Sequence, residues 1–460
     1  MTVPLSIVVL AAGQGKRMQS AFPKVLHTLA GKPILQHVLD TLQHLHPQRV
    51  CVVYGHGADA VRERFSAARV VWARQEPQLG TGHALLQALA HVLSDGVVLV
   101  LNGDVPLIRE ATLKLLLRSA SDGSLCLLTQ KAQDAKNYGR IVRNASGNIS
   151  AIVEFKDATP DQRLLKEWYT GTMAIPAARL AGWLEKLSNN NAQGEYYLTD
   201  LVALAHRDGV DVRALPAPYA WEAQGINSKE ELSALEREYQ HHAAQELLER
   251  GVTLTDPARI DVRGELLCGR DVSIDVNCIF EGKVELGDGV KVGANCILRN
   301  VIIGAMTHIE PFSLLEGAQV GRNARIGPYA RIRPGTELAD DVHIGNFVEI
   351  KASQIGERSK ANHLSYIGDA SVGKDVNIGA GTITCNYDGA HKHRTIIEDN
   401  VHIGSDVQLV APVTVGRGAT IGAGATLTKD APAGELTYTE KKQITRTGWR
   451  RPAKAPDKQR

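Results

Sequence analysis

The chain is poor in aromatic residues, which make up 5% of its 460 positions. Few large rings are therefore available for a deep core, or for a surface that stacks on bases along a nucleic acid. Cysteine is also sparse. Its six copies (Cys51, Cys126, Cys268, Cys278, Cys296, Cys385) are scattered, and no CxxC pair occurs. That spacing excludes a disulfide framework and a zinc ribbon, and it predicts reduced, mostly buried thiols. There is no excess of charge either: 52 Lys and Arg face 50 Asp and Glu, a formal balance of +2. A molecule-wide field for polyanions is excluded, nucleic-acid binding is not expected, and any phosphate site must be local. Long apolar runs are missing too, since none reaches the roughly 18 residues of a membrane span. The run from Pro4 to Gly13 lacks a basic leader and passes straight into Gly-rich sequence. It reads as a first strand rather than a signal peptide, and a cytoplasmic location is the expectation. With 43% hydrophobic and 22% charged residues, the composition is that of a packed globular chain, and its length calls for about two or three domains.

Glycine is plentiful, with 43 copies. In the second half, aliphatic residues recur every six positions at Val320, Ile326, Ile332, Leu338, Ile344 and Ile350. They do so again at Ile397, Ile403, Leu409, Val415, Ile421 and Leu427. A period of six fits neither a helix nor an amphipathic strand and is the signature of a hexapeptide β-helix. Each hexad supplies one short strand and a turn, and stacked coils bury a face that no coil could bury alone. Five-residue steps from Leu315 to Val320 and from Ile367 to Val372 predict corners. The stretch from Thr382 to Thr395, holding Cys385-Asn386-Tyr387-Asp388-Gly389, predicts an excursion from the solenoid. Excursions are where function tends to sit.

The first half follows a different pattern. Ser6–Leu10, Arg49–Tyr54 and Val97–Leu101 are apolar runs between helix-like stretches, which predicts buried parallel strands in a three-layer, Rossmann-like α/β domain over residues 1–227. Ser228 and Glu231 form a candidate capping box. Leu232, Leu235, Tyr239, Ala243 and Leu247 then follow at helical spacing, so 228–250 reads as a linker helix and 251–460 as the solenoid with a charged tail from Lys441.

Between the first strand and the next helix stands Leu10-Ala11-Ala12-Gly13-Gln14-Gly15-Lys16-Arg17-Met18, with Pro23-Lys24 soon after. Small residues let backbone N–H groups approach phosphate oxygens, while Arg17 and Lys24 supply positive charge. The third glycine of a dinucleotide fingerprint is missing, and so is a Walker A loop. The full string resembles the signature of sugar-nucleotide pyrophosphorylases, which join a nucleoside triphosphate to a sugar 1-phosphate. Four further strings lie in the second half: Arg331–Gly335, Gly345–Lys351, His363–Asp369 and Asn377–Gly389. With the hexapeptide tract and these strings, the chain resembles the bacterial family of bifunctional N-acetylglucosamine-1-phosphate uridyltransferases and glucosamine-1-phosphate acetyltransferases over nearly its whole length.

That resemblance implies an α/β nucleotidyltransferase domain followed by a left-handed parallel β-helix. It implies that Leu10, Ala11, Ala12, Gly13, Arg17, Lys24, Asn102, Gly103 and Asp104 bind the nucleotide and that Gln75, Gly80 and Thr81 recognise its uracil. Gly139, Glu154, Tyr169, Thr170, Gly171 and Asn227 would meet the sugar phosphate, and Asp104 and Asn227 would ligate Mg²⁺. In the second half it implies Arg333 and Lys351 on the sugar phosphate, Tyr366 and Asn377 beside the sugar, and His363 as general base. Ala380, Asn386, Tyr387, Ser405 and Ala423 would lie along acetyl-CoA. UTP and acetyl-CoA are then the co-substrates, glucosamine 1-phosphate and N-acetylglucosamine 1-phosphate the acceptors, and a homotrimer the expected assembly. The chemistry is consistent with these roles: nucleotidyl transfer asks for positioning and cations, and an imidazole near its ordinary pKa can take a proton from an attacking amine. Three positions depart from the family pattern: Asn102 replaces Tyr, Tyr169 replaces Asn, and Glu440 stands where an arginine is usual. Glu349 is a candidate to orient His363. Two other readings stay open on sequence: a single-activity nucleotidyltransferase with a structural β-helix, and a non-catalytic scaffold.

Overall fold

The computed structural model describes residues 3–451 except Gln14, His56, Gly57 and Lys441. Most of the charged tail expected from Lys441 onward lies outside the described residues. The chain divides into two compact units, Met1–Ala243 and Ala244–Arg460.

The first unit is built on a sheet whose strands are β1 (Leu5–Leu10), β2 (Arg49–Tyr54), β3 (Val71–Arg74), β4 (Val97–Asn102) and β5 (Leu125–Lys131). They are followed by β6 (Arg140–Arg143), β7 (Ile149–Val153), β8 (Glu167–Pro176) and β9 (Val212–Pro216). Across the sheet the order is β9-β5-β8-β4-β1-β2-β3. The apolar runs are nearly continuous because both faces of these strands are covered: Ile7, Val9, Leu99 and Leu101 pack into one core, and Val8, Val98 and Val100 into the other. β1, β2 and β4 pair in parallel as their sequences predict, but the sheet is mixed, with β8 antiparallel to β4 and β5. The reason is local. After β5 the chain forms the β6–β7 hairpin instead of a crossover helix, so it re-enters the sheet against its neighbours. The helices that matter for the site are α1 (Ile34–Gln43), α2 (Thr81–Ala88) and α3 (Lys229–Glu249). Ser228 Oγ accepts from the Glu231 N–H at 3.1 Å, but the Glu231 carboxylate reaches one residue further back than a capping box would and accepts from the Asn227 N–H at 2.6 Å.

The second unit is a solenoid of short parallel strands. Register carries His308 onto Arg325, Arg325 onto His343, and His343 onto Lys360, so a coil takes seventeen or eighteen residues. Every aliphatic residue of the two six-residue series is buried. The five-residue steps fall at corners. Gly317 (φ 54°) separates Leu314–Glu316 from Ala318–Val320, and Asp369 (φ 49°) separates Lys360–Gly368 from Ala370–Val372. Residues 386–394 leave the coil between the strands Ile383–Cys385 and Thr395–Ile397, as the sequence predicts.

All six cysteines are free. Burial pushes the thiols of Cys51, Cys268 and Cys278 up to about 11, and those of Cys126 and Cys296 up to about 12. Among the described residues no helix is long and apolar enough to cross a membrane.

Candidate active sites

In the first unit the carboxyl ends of β1 and β4 open into a cleft of about 480 Å³, the place where α/β sheets usually hold ligands. Its lining includes Leu10, Ala11, Ala12, Gly13, Lys24, Gln75, Gly80, Thr81, Asn102 and Asp104, so ten of the residues implied for the nucleotide meet in one place. The backbone explains how. Gly15 is left-handed (φ 61°), and a Cβ there would lie 2.8 Å from the Cβ of Lys24. Only glycine lets the loop close over the 3₁₀ turn Lys24–Leu26 that presents the lysine. Gly80 (φ 106°) starts α2 in a conformation that L side chains avoid, and a Cβ there would run into the Tyr196 carbonyl at 2.6 Å. Gln75 is buried and donates to the Gly80 carbonyl at 2.9 Å, while Thr81 Oγ1 accepts from the Leu198 N–H at 3.0 Å. The helix start is thus pinned from both sides.

Two implied residues do not line the cleft. Arg17 is exposed on the turn Lys16–Met18, where the Gly15 bend turns Lys16 toward the cleft instead. Gly103 is a packing position: its N–H donates to the Leu10 carbonyl at 2.9 Å, and a Cβ would press on Ala11, Leu35 and Val9.

The Lys24 ammonium donates to the Asp104 carboxylate and, at 3.1 Å, to Asn227 Oδ1. Asp104 and Asn227 therefore converge although they are far apart in sequence. The Ile226 N–H donates to the Asp104 carbonyl at 2.9 Å, and Gly225 lies alongside the carboxylate. A carboxylate and an amide carbonyl are hard oxygen donors facing a cation, a set that suits Mg²⁺ completed by water and phosphate oxygens. Among the described residues no group of three or more His, Cys, Asp or Glu forms a separate metal site.

The sugar side adjoins this cleft. A Cβ on Gly139 would stand 3.6 Å from the Glu154 carboxylate oxygens, and Gly171 (φ 90°) lies against the Asn102 amide. Glu154 accepts from Thr199 Oγ1 at 3.1 Å, and burial raises its carboxyl pKa above the ordinary value. Thr170 faces inward, its hydroxyl donating to the Leu128 carbonyl. The Tyr169 hydroxyl is buried with no hydrogen-bond partner, and burial raises its pKa well above the ordinary value. Gln78, Lys16 and Glu195 also line the cleft and were not singled out from the sequence. The signal for Gln78 was present, since it lies inside the string Gln75–Ala84.

In the second unit, one column of side chains runs up the solenoid with alternating sign. Arg263 pairs with Glu281, Glu281 with Arg299, and Arg299 with Glu316. The register then brings Arg333, and after it Lys351, to the next two rungs. Two cations now adjoin where a carboxylate should follow. A third, Lys392 from the excursion, reaches Lys351: its proximity, then burial, lower the Lys351 pKa against the Asp369 carboxylate, which raises it. Like charges gathered this way call for an anion. Lys392 was missed because a single lysine in a loop carries no spacing signal.

Glu349 accepts no hydrogen bond from His363. It accepts from Arg333 at 2.7 Å and lies in register with Tyr366, whereas His363 is opposite Asn346. The proposed orienting contact is therefore corrected. Two residues on one strand that are three apart cannot both face the same neighbour once the strand turns a corner, which it does at Leu364 (φ 37°). His363 is exposed, and Ser365 Oγ donates to its carbonyl at 2.8 Å. Asn386 donates to Asp369 and, at 3.4 Å, to the Tyr366 hydroxyl, so these two implied residues touch. Tyr387 is exposed, and its hydroxyl donates to the Gly389 carbonyl at 2.6 Å. Ala380, Ser405 and Ala423 occupy equivalent turns of successive coils: the Asp406 N–H donates to the Ala380 carbonyl, and the Gly424 N–H to that of Ser405. Asn377 lies in register with Lys360 and His402, on a different strand of the coil from Tyr366. Within one chain it is not brought to the Arg333 cluster. Burial raises the Cys385 pKa, which leaves it a poor nucleophile.

Comparison with known proteins gives matches over both halves. A MobA-like NTP transferase domain model matches residues 7–249. A GMPPB C-terminal domain model matches 262–355, and a bacterial transferase hexapeptide model of six repeats matches 394–429. A bifunctional protein GlmU of Nitrosospira multiformis is 60% identical over 453 residues, covering 98% of each chain. Those of Azoarcus sp. and Aromatoleum aromaticum are 59% and 58% identical over 450 residues, covering 98% of this chain and 100% and 99% of theirs. The chain belongs to the GlmU family. The family spans both units, so the two constellations belong to one bifunctional enzyme. A solved nucleotidyl transferase from Methanothermobacter thermautotroptrophicus is 22% identical, with a TM-score of 0.38, and covers 51% of this chain and 97% of its own.

Proposed function

We infer that the chain makes UDP-N-acetylglucosamine in two steps. The second unit transfers acetyl from acetyl-CoA to the amine of glucosamine 1-phosphate. The first unit then transfers uridylyl from UTP to the resulting N-acetylglucosamine 1-phosphate and releases pyrophosphate. The observation that carries this reading is the presence of two separate charged constellations in one GlmU-family chain: Lys24 with Asp104 and Asn227, and Arg333 with Lys351 and Lys392.

For uridylyl transfer, Leu10–Gly13 hold the nucleotide, Gln75, Gly80 and Thr81 read the base, and Gly139, Glu154, Tyr169 and Asn227 receive the sugar. Asp104 and Asn227 would hold Mg²⁺, which would supply charge neutralisation on the triphosphate. The chain's own part is to place the sugar phosphate oxygen in line and to keep Lys24 beside the departing charge. For acetyl transfer, Arg333, Lys351 and Lys392 seat the phosphate while Tyr366 and Asn386 bound the sugar. His363 accepts the amine proton as nitrogen bonds to the thioester carbonyl, and the CoA thiolate leaves. Ala380, Ser405 and Ala423 form a column long enough to lie along the donor.

A homotrimer completes the acetyl site, because Asn377 does not reach the sugar cluster of its own chain. A second feature supports self-association. Phe312, Tyr329 and Phe347 stack on successive coils at 4.9 and 5.3 Å, all three left-handed and about half exposed, with exposed Leu364 following. Strained, uncovered aromatic residues in a column favour a protein neighbour. The free thiols fit a cytoplasmic setting.

The test is separability. Asp104→Ala should abolish pyrophosphate release and spare CoA-thiol release, and His363→Ala should do the reverse. Loss of both activities from either folded variant would overturn the two-site reading.

A further inference from the structure

The same point in the first cleft is claimed by two cations. The Lys24 ammonium is bound by both oxygens that would ligate the metal, the Asp104 carboxylate and Asn227 Oδ1. The lysine and aspartate side chains are only 11% and 16% exposed, so water screens the pair weakly. We propose that Lys24 and the divalent cation compete for one seat, and that the ion frees Lys24 to meet the triphosphate. This rests on assigning Asp104 and Asn227 to the metal.

Rigidity decides which partner moves. Asn227 is fixed through its N–H by the Glu231 carboxylate, and Asp104 through its carbonyl by the Ile226 N–H. Lys24 is fixed only at its base, where the turn Lys24–Leu26 and the close approach of Gly15 hold the backbone and Cβ. Its four-carbon stem remains free to rotate, and Lys24 and Lys16 line the same cleft. An ammonium leaving the two oxygens therefore stays within the volume where phosphates bind. An ammonium and a divalent cation on the same two oxygens repel each other strongly at low screening, so each weakens the other's hold. The ion pair thus keeps Lys24 away from the triphosphate until the metal takes its place, and one residue serves as counter-ion and then as phosphate ligand.

The experiment measures Mn²⁺ binding to the full chain without nucleotide, by the electron paramagnetic resonance signal of free Mn²⁺. Lys24→Met should bind Mn²⁺ about tenfold more tightly than the unmodified chain, or better, since the competing charge is gone. Lys24→Arg, which keeps a cation in the seat, and Lys16→Met, which removes a nearby unpaired charge, should stay within about threefold. Lys24→Gln repeats the first variant if the methionine chain does not fold by circular dichroism. Equal or weaker binding by the folded uncharged variants would overturn the competition, as would an equal gain in Lys16→Met. Asp104→Ala should lose Mn²⁺ binding in every background. If it does not, the metal assignment falls, whereas loss there without a gain in Lys24→Met defeats the competition alone.

Discussion

Gly15→Ala perturbs the first site with a single methyl group. Gly15 sits at φ 61° and ψ 31°, and holding alanine in that left-handed region costs about 1–2 kcal/mol. The added Cβ would stand 2.8 Å from Lys24 Cβ, where carbon atoms prefer about 3.5–4.0 Å. The obstructing atom is at the root of the lysine, so rotating its side chain gives no relief and the turn Lys24–Leu26 must retreat by close to an ångström. Overpacking of that kind costs about 1–3 kcal/mol more, and we expect the first unit to lose about 2–5 kcal/mol in all. The displacement also takes the ammonium from Asp104 and Asn227, and a misplacement of about 1 Å in a positioning group lowers a rate about 10²-fold. Pyrophosphate release should therefore fall by about that factor while CoA-thiol release stays within about twofold, and calorimetry should register the stability loss. Gly123→Ala is the matched control, since Gly123 is also left-handed (φ 90°) and a Cβ there meets nothing within 4 Å. Wild-type uridylyl transfer by Gly15→Ala would refute the argument that this glycine is set by Lys24.

Ile350→Ala, at a fully buried hexad position, should destabilise the solenoid by about 2–5 kcal/mol in denaturant titration, and a change below about 1 kcal/mol would contradict the stacked-core account. Burial raises the Glu154 pKa above 4.5 in the folded chain, so the folded state holds a proton that the unfolded state releases. Stability of the first unit should then fall as pH rises from 4.5 through the raised value, and Glu154→Gln should flatten that slope in pH-dependent melts. Lys392→Ala removes the neighbour that holds the Lys351 ammonium pKa down. It should raise the KM for glucosamine 1-phosphate about tenfold with kcat changed less, and an unchanged KM would remove Lys392 from the phosphate seat. Tyr329→Glu should shift light scattering from the proposed trimer toward monomer and reduce CoA-thiol release with it, while an unchanged assembly would discount the aromatic column as an interface.

The hexad positions were legible because a solenoid repeats one contact many times, and every residue of both series is buried. The nucleotide cleft was legible because its string is contiguous: Ala11–Gly13 follow directly on β1, and Asp104 follows β4 by two residues. What the sequence concealed depends on stacking between coils or on chain direction. Arg333 finds Glu349 sixteen residues on, across one coil, so the register alone reveals that Glu349 does not serve His363. Lys392 reaches Lys351 only after the excursion folds back. Arg17 is expected in the cleft from the sequence, but the turn after left-handed Gly15 leaves it exposed while Lys16 lines the pocket. The antiparallel entry of β8 follows from a hairpin insertion that apolar runs do not encode.

The alternating column Arg263, Glu281, Arg299, Glu316 has a parity. Each coil reverses the sign, so excising a single coil between Arg263 and Arg333 would bring two equal charges face to face at the junction. Excising two would restore the match. Evolution or engineering that shortens or extends this solenoid below the acetylation site should therefore do so by even numbers of turns, although the hydrophobic interior would accept any number.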